Sequence, residues 1–202
     1  MNEQYLLHLN NFKSHLEQLK ICKDKVNARC EKAVKLQEEY AKYLAPITAK
    51  TAEIFNNFES SINDLSLTKL NEIATSLTFV REENNFYVNS FDVLSSGENE
   101  LKANLKGEIS KINFLVDAAL KLKFFVSDRF GKIIDKYSDE DHAELTAIKE
   151  EAVKITDELN IKASIINAKT SVLFAKEMEC SSKLQTLEVT VNELTKRFSS
   201  VG

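Results

Sequence analysis

One proline, four glycines and no tryptophan leave this chain almost without punctuation. A β-rich fold turns every ten residues or so and spends Gly, Pro and Asn-Gly pairs on those turns, so the composition predicts an all-α protein. So few glycines also exclude a phosphate-cradling loop, and neither a P-loop nor GxGxxG is present. Cys22, Cys30 and Cys180 are odd in number and lack metal-ligand spacing. They predict small buried apolar residues in a reducing compartment, not a disulfide framework. No apolar run is long enough to span a bilayer, and MNEQYLLHLNNF lacks the basic start and apolar core of a signal peptide. The expectation is a cytoplasmic protein, peripheral on membranes.

Catalytic constellations are missing too. There is no GxSxG, HExxH or CxxC. His8 and His15 are seven apart, where a helical metal pair wants three or four and a third ligand, so both read as surface histidines. Glu38-Glu39, Glu82-Glu83 and Glu150-Glu151 are adjacent, and neighbours on a helix point about 100° apart, so neither member of a pair can serve the other as acid to base. No enzyme activity, catalytic residue, metal or cofactor is expected.

What the chain does have is a long apolar seam. Steps of three and four from Leu9 meet Phe12, Leu16, Leu19, Lys23, Val26, Cys30, Ala33, Gln37, Tyr40, Leu44, Ile47, Thr51, Ile54 and Phe58. Only Lys23, Gln37 and Thr51 are not apolar, so the heptad pattern predicts one helix over about 3–60, roughly 75–90 Å long. Pro46 should bend that helix near Lys42–Pro46 without ending it, because the seam keeps its phase beyond. The Asn, Ser and Asp cluster from Asn56 to Asp64 predicts its end near Asn56–Ser61.

Ser66 is the expected N-cap of a second helix over 66–137. Its seam is Leu70, Ile73, Leu77, Val80, Asn84, Tyr87, Phe91 and Leu94, then Leu101, Leu105, Ile109, Ile112, Val116, Ala119, Val126, Phe130, Ile133 and Tyr137. Ser95-Ser96-Gly97-Glu98 predicts a kink near 95–97. Ser138 is the expected cap of a third helix, over 139–199. Every seventh residue from Leu145 is apolar there: Ala152, Leu159, Ile166, Leu173, Cys180, Leu187, Leu194 and Val201. The companion row of Ile148 and Ile155 weakens through Lys162, Lys169 and Lys176, then returns one place later at Leu184, Val191 and Phe198, as a seam drifting around a straight helix does. Residues 1–202 therefore read as a single domain, an elongated antiparallel three-helix coiled coil with kinks in the first two helices. Phe114, Leu115, Phe124, Phe125, Ile134, Ile161 and Ile165 exceed what one such seam needs, which predicts a homodimer that buries a second apolar face in a six-helix bundle.

The layout resembles a BAR domain, most closely the BAR modules of sorting nexins. FKSHLEQLKICKDKVNARCEKAVKLQEEYAKYLAPI is similar to the first BAR helix, and LTKLNEIATSLTFVREENNFYVNSFDVLSSGENELKANLKGEISKINFLVDAAL to the second. The resemblance implies a dimer that binds and shapes curved anionic membrane in vesicle or endosomal trafficking and protein transport, alongside other trafficking proteins.

Net charge is −4, which argues against nucleic acid as a partner, but it is unevenly spread: +4 over 102–137 and −6 over 138–160. At 100° per residue, Lys111, Arg129, Lys132 and Lys136 fall within about 80° of Lys121 and opposite the seam, with Lys123 at the seam's edge. These six are the expected membrane-binding residues, each basic charge contributing about 1 kcal/mol near an anionic surface. Asp117, Asp128 and Asp135 lie beside the stripe, so a solvated helix face is the plainer account of the same residues. LLHLNNF reads as more seam and not as a membrane wedge, since no basic residue accompanies it. The acidic segment 138–160, including the SDEDH turn, favours the other function considered: a helical scaffold or tether that binds proteins without lipid contact.

Overall fold

The computed structural model describes residues 2–83 and 97–200. They form four helices, α1 (Glu3–Ser61), α2 (Leu67–Glu83), α3 (Gly97–Lys136) and α4 (Ala143–Ser200), with no strand among the described residues. The protein is all-α. The kink expected near 95–97, and the seam residues Asn84, Tyr87, Phe91 and Leu94, lie outside the described residues except for Gly97, the first residue of α3.

The helix ends follow side-chain chemistry. Asn2 caps α1, its Oδ1 accepting the Gln4 N–H at 2.9 Å. Pro46 lies exposed inside α1 without ending it. Ser66 caps α2 through its hydroxyl, which accepts the Lys69 N–H at 3.2 Å. The start of α4 differs from expectation: it begins at Ala143, whose N–H goes to Asp141 Oδ1 at 3.0 Å, and not after Ser138. Residues 137–142 form the turn instead, with the Glu140 N–H on the Tyr137 carbonyl at 3.0 Å.

The α1 seam is buried at fourteen of the fifteen expected positions, the exception being Lys23, where neighbouring Cys22 turns inward. In α4 the inner companion row runs through Ala163, Thr170 and Glu177 before Leu184 and Val191, so the drift has already happened where the lysines suggested a weak row. Phe198, expected to close that row, is exposed.

The chain divides into two compact units: residues 1–35 with 106–168, and residues 36–105 with 169–202. In the first unit α3 runs antiparallel to α1 and α4. Cys22 Sγ reaches the Leu115 carbonyl at 3.2 Å, while Lys13 pairs with Glu144 at 2.6 Å and Lys23 with Glu158 at 2.7 Å along the parallel α1–α4 contact. Tyr5 closes one end, edge-on to Tyr137 and donating its O–H to the Asp141 carbonyl at 2.9 Å.

In the second unit, Tyr40, Leu44, Ile47, Ile54 and Phe58 of α1 pack with Leu70, Ile73, Leu77 and Val80 of α2 and with Cys180, Leu184, Leu187 and Val191 of α4. The polar residues in this core are paired, as burial demands. Gln37 Nε2 donates to Thr170 Oγ1 at 2.8 Å. Tyr40 donates its O–H to Glu177, which also receives Lys102 Nζ at 2.6 Å. The Cys180 thiol meets Thr51 Oγ1 at 3.0 Å.

Candidate anion-binding surface

All six cations expected to bind membrane, the five of the outward stripe on α3 and Lys123 at the seam's edge, belong to the first unit, and their surroundings divide them. Lys111 Nζ is 3.4 Å from Glu108, Lys123 Nζ is 3.3 Å from Asp157 of α4, and Lys132 Nζ is 2.9 Å from Asp128 one turn back. Arg129 lies over the Phe125 ring at 4.3 Å, and Lys136 lies 5.1 Å from the Tyr137 ring centroid. Lys121 is exposed. These ion pairs are mostly solvated, and such pairs hold their partners by about 1 kcal/mol at most, so Lys121, Arg129, Lys132 and Lys136 stay available to an external anion. Lys123, half-buried beside α4, is the least exposed of the six.

Aromatic rings stand among these charges. Phe114 and Phe124 are 73% and 74% exposed, and by the helical period both fall within about 60° of Lys121. Leu115, Phe125 and Ile134 are half-buried. Phe125 stacks on His15 of α1 at 4.7 Å, and His8 tilts against Tyr137 at 5.9 Å, so both histidines are packed against rings and neither is a plain surface residue. No three His, Cys, Asp or Glu side chains converge as a metal site among the described residues. Leu9 and Phe12 continue the seam, leaving Leu6 and Leu7 exposed.

One group the sequence reading passed over is buried one turn before Lys111, at the N-terminal end of the stripe. Glu108 occupies the seam of α3 where Ile109 was expected, and it is 2% exposed. Both of its oxygens accept from Arg29 Nη1 at 3.1 Å, and Oε1 also takes Lys32 Nζ at 3.0 Å and Lys111 Nζ at 3.4 Å. Burial pushes the Glu108 carboxyl up, but the hydrogen bonds from Lys32, Arg29 and Lys111 outweigh it and hold the group below the usual carboxylate range. The signal was present: three steps from Leu105 give Glu108 and four give Ile109, and a buried acid wants cations opposite, as Arg29 and Lys32 are. Above this pair of helices lies a groove of about 800 Å³ lined by Lys25, Ala28, Arg29, Lys32, Ser110, Lys111, Phe114 and Leu115.

No helix among the described residues is long and apolar enough to cross a membrane. Comparison with protein-family models, with curated proteins and with solved structures gives no match to the chain.

Proposed function

We propose that this protein is a BAR-type module: a three-helix antiparallel coiled coil that homodimerises and binds anionic membrane surfaces in vesicle or endosomal trafficking, by charge and shape and without covalent chemistry. The observation that carries the reading is the company kept on α3, where Phe114 and Phe124 stand exposed among Lys121, Arg129 and Lys132. Cations attract the surface, and exposed aromatic rings gain from entering the headgroup boundary, which is the composition of an interfacial helix face. Two helices of 59 and 58 residues with long buried seams also suit a module of this kind.

The test is co-sedimentation of the full chain with phosphatidylserine-containing vesicles at low salt. Reversing Lys121, Arg129, Lys132 and Lys136 to Glu removes at least about 4 kcal/mol of attraction, so the expected loss is on the order of a thousandfold in affinity. Binding that ignores the reversals overturns the site. A second reading is kept because Asp128 and Asp157 already engage two of the expected cations and residues 138–160 are acidic. On that reading the chain is a helical scaffold for other proteins, and the absence of vesicle binding at low salt is its signature.

A further inference from the structure

We propose that the groove between α1 and α3 in the first unit is a binding site for an organic phosphomonoester, gripped by Lys25, Arg29, Lys32 and Lys111 and flanked by the Phe114 ring. Three of these cations converge on Glu108 at 3.0–3.4 Å, yet the carboxylate is buried and supplies one negative charge. Four cations against one acid leave three positive charges facing solvent in a concave setting. A phosphomonoester dianion answers that excess better than a monoanionic diester or a single carboxylate does.

Glu108 also does what a preorganised anion site requires. It draws cations from two helices to one place from beneath, so they need not be gathered when a ligand arrives. Arg29 meets it through Nη1 alone, which leaves the Nη2 and Nε donors of the guanidinium fork, and each lysine keeps donors beyond the one it spends. Lys25 lines the groove without touching Glu108. Phe114, Leu115 and Ala28 give the groove an apolar side, which suits the organic part of a phosphate ester and is wasted on inorganic phosphate. Two sources offer this chemistry, the phosphorylated headgroup of a lipid and a soluble sugar or inositol phosphate. The proposal draws mainly on α1 and extends the membrane reading without requiring it.

The experiment titrates the full chain with soluble inositol trisphosphate by calorimetry at low salt. In parallel, its sedimentation is compared on vesicles carrying phosphatidylinositol monophosphate and on phosphatidylserine vesicles matched in surface charge. Lys25→Gln and Lys32→Gln are the variants. Lys25→Gln leaves the Glu108 contacts intact, so folding is not at stake. Each variant is expected to weaken trisphosphate binding by roughly tenfold, the loss of one charge-assisted contact. If Lys25→Gln also weakens binding to the monophosphate vesicles more than to the phosphatidylserine vesicles, the lipid headgroup is the source. Trisphosphate binding that falls in the variants, with no vesicle binding at all, supports the groove as a soluble-phosphate site and overturns the membrane reading. Vesicle binding without trisphosphate binding, or variants that bind trisphosphate as the parent does, overturns the groove and leaves the membrane reading standing.

Discussion

At the scale of the residue, the most telling departure from the pattern is an acid in an apolar row. A heptad reading treats a charged residue as a gap and steps past it, as it does from Leu105 to Ile109. The competing fact is three-dimensional: Arg29 and Lys32, some eighty residues away in sequence, stand where they stabilise the carboxylate of Glu108. Periodicity within one helix cannot reveal a partner on another. Because these hydrogen bonds hold Glu108 below its unfolded value, its contribution to stability is full above the ordinary glutamate range and is lost as pH falls below that range and through the lowered folded value. Glu108→Gln should therefore cost about 1–3 kcal/mol at neutral pH by urea unfolding, and the cost should shrink toward zero in acid. A cost that stays constant with pH would mean the pairing is energetically idle. The three cysteines make a second case. Each is buried, and burial pushes each thiol up, so little thiolate exists near neutrality. A thiol reagent should label none of them quickly in the folded protein and all three in urea. A fast-reacting cysteine in buffer would contradict the packing of α1 or α4.

At the scale of the element, legibility depended on how unambiguous the spacing was. The α1 seam was readable because alternating threes and fours admit one phase, and its single error, Lys23 for Cys22, arose where a step of three and a step of four both found a residue able to lie on the seam. The α4 companion row was harder, since Thr170 and Glu177 are polar. They are buried because Gln37, Tyr40 and Lys102 meet them, which again no single-helix pattern contains. The capping of α4 moved from Ser138 to Asp141 for a similar reason. Tyr137 is buried against Tyr5, and the Tyr5 hydroxyl donates to the Asp141 carbonyl, so a tertiary contact sets the turn. Two helix interiors carry residues that oppose helicity without a packing role. Pro46 is exposed, and a Cβ added at Gly131 would meet nothing within 4 Å. Pro46→Ala restores a backbone donor and should raise stability by about 1–3 kcal/mol, and Gly131→Ala by about 0.5–1 kcal/mol. Thermal unfolding checks both. A destabilised Pro46→Ala would mean that α1 needs the backbone geometry that proline imposes there.

At the scale of the whole molecule, the proposed function divides the exposed apolar side chains between a second copy and lipid. Phe114 and Phe124 lie among cations, whereas Ile161 and Ile165 lie one turn apart on the outer side of α4, 61% and 49% exposed, away from the buried Leu159, Ala163 and Ile166. On the proposed reading, lipid would attract the first set through charge, and a second copy would need no such charge to cover the second. If the chain homodimerises as proposed, Ile161→Ser with Ile165→Ser should leave the helices folded and weaken the dimer. Burying two isoleucines is worth about 3 kcal/mol or more, so the dissociation constant should rise by on the order of a hundredfold, read by light scattering across a dilution series. Phe114→Ser with Phe124→Ser should instead leave the mass unchanged and weaken vesicle binding. A parent chain that stays monomeric at every concentration would remove the dimer, and with it the homodimeric part of the proposed function. A dimer disrupted by the phenylalanine pair instead would reverse the assignment, making α3 the contact between copies and leaving the membrane face to be sought elsewhere.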